Sequence, residues 1–76
     1  MSTVMVRVHL VNGDLQEFRE GGDFLRRLAR LEREGLQGRA LIHELITDDW
    51  GAPPVRVVLS GTDLAGAAFT RSIPYT

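Results

Sequence analysis

The absence of cysteine from a chain of only 76 residues is the feature that most limits what this sequence can fold into. A domain of this length buries only about 60% of the surface that its unfolded chain exposes, so small domains usually need disulfides, metals or oligomerisation. Without thiols, neither a disulfide framework nor a thiolate metal site can supply that stability. We therefore predict a single domain, residues 1–76, held together by its hydrophobic core alone or with the help of a second copy.

Alternating apolar residues predict a strand at the start of the chain. Apolar side chains occupy every second position from Thr3 to Val11, which places them on one face of an extended segment. Asn12 and Gly13 then predict a hairpin turn, because both residue types tolerate positive φ. The return strand is expected from Leu15 to Glu20.

The length of the hairpin loop determines which residues face each other. A two-residue turn places Phe18 opposite Arg7. A three-residue loop places Phe18 opposite Val8 and Leu15 opposite Val11. We expect the longer loop, because it buries the Phe18 ring among the valines.

Two helices are predicted in the middle of the chain. Asp23 is a candidate N-cap, leucines and Phe24 then recur at helical spacing, and Gly35 is available as a C-terminal cap. Residues 39–49 also favour a helix, because their apolar residues form one continuous stripe. The alternative is a central strand, which would place His43 among apolar neighbours.

The last third of the chain predicts two more strands. Consecutive prolines at 53 and 54 require an irregular segment, and alternation resumes at residues 55–60. A turn at 61–66 and a strand at 67–73 follow. The residues of the third strand expected to face the core are Val55, Val57 and Leu59. The predicted fold class is α+β with the order ββααββ: a four-stranded, mostly antiparallel sheet with two helices packed on one face.

Charge and hydropathy exclude several classes of protein. Nine basic and ten acidic residues give a net charge of −1, so the chain lacks the overall basic field of a typical nucleic-acid binder. No segment approaches the roughly 20 apolar residues of a membrane span, and the first residues do not resemble a signal peptide. We expect a cytoplasmic protein without a membrane partner. All nine basic residues are arginine, which is typical of a GC-rich bacterial genome.

No combination of residues predicts catalysis. The chain has no Cys or Lys, and His9 and His43 fall on different predicted elements. His43 is followed by Glu44, Asp48 and Asp49, which together resemble a metal-ligand set. Helical spacing directs His43 away from the face that Glu44 and Asp48 share. We therefore predict a solvated helix edge, no metal, no cofactor and no enzymatic activity.

The first candidate binding surface is the sheet face away from the helices. Its defining residues are Met5, Arg7, His9, Val11, Arg19, Arg56 and Val58, with Leu15 and Glu17 beside them. So many exposed apolar residues exceed what a monomer usually tolerates. We expect this face, or an edge strand, to meet a second copy or another protein. Alternatively, long arginine side chains cover the apolar residues and keep a monomer soluble.

The second candidate surface is the basic face of the first helix, formed by Arg26, Arg27, Arg30 and Arg33. Their spacing presents several guanidinium groups on one side, which suggests a nucleic-acid accessory protein as an alternative function. Glu32 and Glu34 lie in the same turns and are expected to neutralise part of that field.

The third candidate is a recognition loop made of Asp48, Asp49, Trp50 and Pro53. An exposed Trp in a rigid loop could anchor a partner or border a small-molecule groove in which His43 or Asp49 acts as acid or base. We instead favour packing of Trp50 on the core, because a small domain loses much buried area without it. The function that the sequence favours is a small, non-enzymatic, self-associating interaction module.

Overall fold

The computed structural model describes residues 3–47 and 49–76. Its elements are β1 (Thr3–Leu10), β2 (Leu15–Gly21), α1 (Gly22–Arg33), α2 (Gly38–Leu45), β3 (Pro54–Thr62) and β4 (Ala68–Pro74). The strands form one antiparallel sheet in the order β2-β1-β3-β4. This confirms the predicted α+β fold of ββααββ order. In the described part of the chain, no helix is long and apolar enough to cross a membrane.

The hydrophobic core lies between one face of the sheet and the two helices. The pleat directs alternate residues of β1 to that face, and Val4, Val6 and Val8 are completely buried there. The helices cover them with the apolar stripes predicted from helical spacing. The helical residues of the core are Phe24, Leu28, Leu31, Leu41, Ile42 and Leu45.

The predicted register of the first hairpin was wrong by two residues. The loop has three residues, as expected, but they are residues 11–13 instead of 12–14, so Phe18 lies opposite Val6 instead of Val8. Because the shift is an even number of residues, Phe18 stays on the core face and packs, partly buried, against the core.

The turn geometry explains this register. Gly13 has a φ of 89° and donates its N–H to the Leu10 carbonyl at 3.1 Å, while Leu10 donates to the Asp14 carbonyl at 2.9 Å. This is a tight turn closed by a residue with positive φ, a conformation that glycine adopts easily. Asp14 therefore pairs with Leu10, and Leu15 faces His9 instead of Val11.

The start of α1 also differs from the prediction. The N-cap is Gly21, which makes no side-chain cap hydrogen bond, and the helix begins at Gly22. Asp23 lies inside the first turn and accepts a hydrogen bond from Arg26 at 2.8 Å. A carboxylate in that position still interacts favourably with the helix dipole, although it does not cap the backbone.

The end of α1 confirms the role predicted for Gly35. Gly35 donates its N–H to the Glu32 carbonyl at 3.0 Å, and Leu36 donates to the Leu31 carbonyl at 3.1 Å. These two bonds satisfy carbonyl groups that the helix itself leaves without a partner. Leu36 also packs against the core, so the same turn closes the helix and adds apolar contact.

The second helix is shorter than the predicted 39–49. It ends at Leu45, and Ile46 is already extended, with φ −126° and ψ 118°. Ile46 nevertheless remains buried, at 5% exposure, so the chain reaches the core without another helical turn. Asp49 lies in the following loop, and Asp48 lies outside the described residues.

A β-bulge changes the orientation predicted for Val55. His9 faces Arg56 whereas Leu10 faces Pro54, so Val55 is an extra residue on β3. Val55 was expected to face the core but is 45% exposed, and Pro54 is buried instead.

The burial difference along β3 predicts a stability difference. Leu59→Ala removes a side chain with 0% exposure and should lower the free energy of unfolding by about 2–5 kcal/mol. Val55→Ala, at the exposed bulge, should change it by less than about 0.5 kcal/mol. Urea unfolding followed by circular dichroism measures both. Equal losses in the two variants would contradict the assigned bulge.

Candidate interaction surface

The outer face, as we name the side of the sheet opposite the helices, is the most extensive of the candidate surfaces. Neighbouring strands align three rows of residues across it: Arg19–Met5–Ser60, Glu17–Arg7–Val58 and Leu15–His9–Arg56. The structure thus brings together six of the seven predicted residues. The exception is Val11, which begins the hairpin turn after β1 and is 60% exposed there. Both helices pack on the other side, and no other helix or strand of the described residues covers this face.

Arg7 links three strands at the centre of the outer face. Its Nε donates to Oε2 of Glu17 on β2 at 2.9 Å, and its Nη1 donates to Oγ of Ser60 on β3 at 3.3 Å. Sequence reasoning missed Ser60, because the chain order does not reveal that β1 lies between β2 and β3. The two bonds fix the guanidinium between Glu17 and Ser60 on the neighbouring strands.

Apolar and basic residues share the outer face. Met5 and Val58 are half-buried and lie diagonally across β1 and β3, while Arg19 and Arg56 are exposed on either side of them. Glu17 is already paired with Arg7. The centre of the face therefore combines two apolar side chains with the paired Arg7, and its rim carries a net positive charge.

The predicted recognition loop is only partly free. Trp50 is half-buried and packs against the core, which confirms the predicted packing. Its carbonyl accepts a hydrogen bond from Gln16 Nε2 at 3.3 Å, and its buried Nε1 has no partner among the described residues. Asp49 accepts the Gly51 N–H at 3.1 Å, and Pro53 accepts the Val11 N–H at 2.9 Å. Asp48 lies outside the described residues. The loop is thus tied to the hairpin beside it.

The arginines of α1 do not form a row of free cations. Arg26 pairs with Asp23 at 2.8 Å, and Arg30 lies 3.8 Å from Glu34. Arg27 lies over the Phe24 ring, 5.6 Å from its centroid, and Nη2 donates to the Leu45 carbonyl at 2.6 Å. Arg33 is exposed. Several of the positive charges expected to attract phosphates are therefore paired or hydrogen-bonded within the domain. A nucleic-acid function remains only a prediction.

His43 lies at the junction of α2 and the end of β4. Its Nε2 is hydrogen-bonded to the Tyr75 hydroxyl, and Arg39 lies over the same ring at 5.1 Å from its centroid. Within residues 3–47 and 49–76, no group of three or more His, Asp or Glu side chains could hold a metal ion. His43 therefore connects α2 to the residue that follows β4. The structure does not assign it an acid–base role.

Glu32 joins α1 to β4 through a paired hydrogen bond with Arg71. Both guanidinium Nη atoms contact the carboxylate, with Nη1 at 2.7 Å from Oε1. Hydrogen bonding from Arg71 lowers the pKa of Glu32, partly opposed by burial, and the same pair raises the pKa of Arg71. The sequence suggested only that Glu32 would neutralise nearby arginines of its own helix. Its partner is 39 residues away, which no local pattern reveals.

No family model matches this chain, and no curated protein or solved structure is significantly similar to it. The candidate surfaces therefore rest on the geometry of this fold alone. The outer face is the surface on which the greatest number of predicted residues meet.

The Glu32–Arg71 pair predicts a small dependence of stability on pH. Because the pKa of Glu32 is lower when folded, its contribution is present above the usual value of 4.5 and is lost as pH falls through the folded pKa. The contribution should stay below about 1 kcal/mol, because both side chains are partly exposed.

Glu32→Gln should remove that component, so its unfolding free energy should approach that of the wild type only at acidic pH. Arg71→Gln should remove the same component, since the pair is its cause. Urea unfolding across the pH range measures both variants. Parallel pH curves for Glu32→Gln and the wild type would contradict the assignment.

Proposed function

We propose that this chain is a small, non-enzymatic protein-interaction module that self-associates through its outer face. The observation that carries the proposal is the uncovered side of the sheet, where Met5 and Val58 lie among arginines with no helix over them. Partly exposed apolar side chains surrounded by a polar rim are the usual composition of a binding surface.

The size of the outer face supports a weak contact. Four strands of seven to nine residues each provide the surface. At about 3.3 Å per residue and 4.8 Å between strands, the face covers roughly 400–500 Å². A standard interface buries about 800 Å² per partner, so face-to-face association should be reversible and depend on concentration.

The charge of the face distinguishes a second copy from a different partner. Arg19 and Arg56 give each copy a positive rim, so two copies repel each other and added salt should strengthen their association. An acidic protein partner would instead be attracted to the same rim, and salt would weaken its binding. The direction of the salt effect therefore reports which partner occupies the face.

A substitution at the apolar centre tests the proposal. Val58→Glu places a carboxylate opposite Arg7, and this opposite charge should preserve the fold of the single copy. In any face-to-face contact, however, the substitution buries a charge. We expect the dissociation constant of that contact to rise at least about tenfold. Sedimentation velocity over a wide concentration range measures it.

The matched control is Ala40→Glu, which makes the same charge change at an exposed residue of α2, on the helix side of the domain. Its association should equal that of the wild type. Equal effects of the two substitutions, or a wild type that stays monomeric at every concentration and salt, would count against the outer face as a self-association surface.

A further inference from the structure

The outer edge of β4 is a second open surface of the sheet. β4 is the last strand in the order β2-β1-β3-β4 and pairs only with β3. Tyr75 donates its N–H to the Val55 carbonyl at 3.0 Å, and Asp63 donates to the Ala67 carbonyl at 2.9 Å. Hydrogen-bonded pairs alternate along an antiparallel ladder, so odd-numbered residues of β4 bond to β3.

The even-numbered residues of β4 therefore direct their backbone groups outward. These residues are Ala68, Thr70, Ser72 and Pro74. Proline has no N–H to donate, so its occurrence at 74 agrees with an outward-facing position. The N–H and C=O groups of the other three form a row that has no hydrogen-bond partner among the described residues.

The two edges of the sheet differ in their protection against pairing. Edge strands usually carry charged side chains or prolines that discourage another strand from adding to them. On β2, the residues with outward-facing backbone groups include Glu17 and Arg19. On β4, the corresponding side chains are small, uncharged and exposed, apart from the proline at its end.

We propose that β4 of one copy pairs antiparallel with β4 of a second copy about a two-fold axis at Thr70. In this register Thr70 faces its own counterpart, and Ala68 faces Ser72 of the second copy. All three facing pairs then exchange both backbone hydrogen bonds, and the two sheets become one sheet of eight strands.

Other registers are less favourable. An axis at Ser72 would pair Thr70 with Pro74 of the second copy. One hydrogen bond of that pair could not form, because proline has no N–H. An axis at Arg71 would place two guanidinium groups opposite each other and would pair Ala68 with Pro74 of the second copy, which has no N–H to donate. The axis at Thr70 avoids both problems.

Side chains on the helix side also suit this register. Phe69, which is partly buried, would face Arg71 of the second copy, an arrangement that allows a cation–π contact while Glu32 stays beside the guanidinium. Next to this pair lies an apolar groove of about 390 Å³, whose lining includes Leu25, Leu28 and Leu64. The second copy would cover part of that groove.

The edge contact does not depend on the outer-face contact, because the first uses backbone groups along the edge of β4 and the second uses side chains centred on β1 and β3. A chain that self-associates through both the outer face and the β4 edge would form oligomers larger than dimers at high concentration. Substitution at one surface should leave the other contact in place. The edge is therefore tested in the Val58→Glu variant, in which outer-face association is weakened.

Disulfide cross-linking tests the register directly, because the chain has no cysteine of its own. Thr70→Cys should cross-link readily, since facing residues of a hydrogen-bonded pair have Cα atoms about 5.5 Å apart, within disulfide range. Ser72→Cys is the matched control on the same strand and face. Its counterpart lies roughly 13 Å further along the second copy, so it should not cross-link.

Non-reducing electrophoresis after mild oxidation measures the two variants at equal concentration. A covalent dimer from Thr70→Cys and little from Ser72→Cys supports the pairing. Equal dimer yields in the two variants, or none from Thr70→Cys, overturn it. Because both cysteines lie on the same face and the comparison is made in the Val58→Glu variant, a difference between them reports the register at the edge.

A proline substitution supplies the second readout. Thr70→Pro removes an outward N–H without removing a bond to β3, so the monomer should retain its circular dichroism spectrum. Edge association should weaken at least tenfold in dissociation constant, whereas Thr70→Val should leave it intact. If both variants associate equally, β4 is not the contact.

Discussion

The fold depends on the burial of β1 at the centre of the sheet. Val4, Val6 and Val8 are completely buried, and β1 is hydrogen-bonded to β2 on one side and β3 on the other. Burying each valine contributes about 1.5–3 kcal/mol relative to exposure, so the three together are comparable with the net stability of a small domain. The two helices, α1 with 12 residues and α2 with 8, complete this core from one side only. No further helix or strand of residues 3–47 and 49–76 covers the opposite face.

The parts of the fold that the sequence predicted correctly are those determined by local backbone geometry. Alternation with period two located all four strands, and helical spacing located both helices, since each period follows directly from where successive side chains point. Even the second helix, for which a strand was an open alternative, followed the single stripe formed by its apolar residues. The packing of Trp50 was predictable for a related reason, because a small core benefits from every large apolar side chain.

The errors came from the detailed geometry of turns and from contacts between distant parts of the chain. The hairpin register depends on which residue of the turn adopts positive φ, and the alternation is satisfied equally by a shift of two residues. Val55 is exposed because β3 has one extra residue relative to β1 at the bulge. The alternating pattern of β3 alone does not reveal this. Glu32 is bound by Arg71 from the far end of the chain, and Arg7 reaches Ser60 only because β1 and β3 are neighbours. Strand order and long-range pairing therefore had to come from the structure.

Because side chains alternate along a strand, core packing and surface exposure fall on different residues of the same strand. On β1, even-numbered residues build the core while Met5, Arg7 and His9 face outward, so the outward residues can change a binding surface without removing core contacts. On β4 the separation extends to the backbone, because one set of amide groups holds the strand to β3 and the other set faces solvent. The inward Ile73 and the outward Ser72 are neighbours in sequence, yet only the first contributes to the core. A domain too small to cover all of its sheet can therefore be stable and still present an open face and an open edge, since the interactions that stabilise it and the groups left available for binding belong to alternate residues.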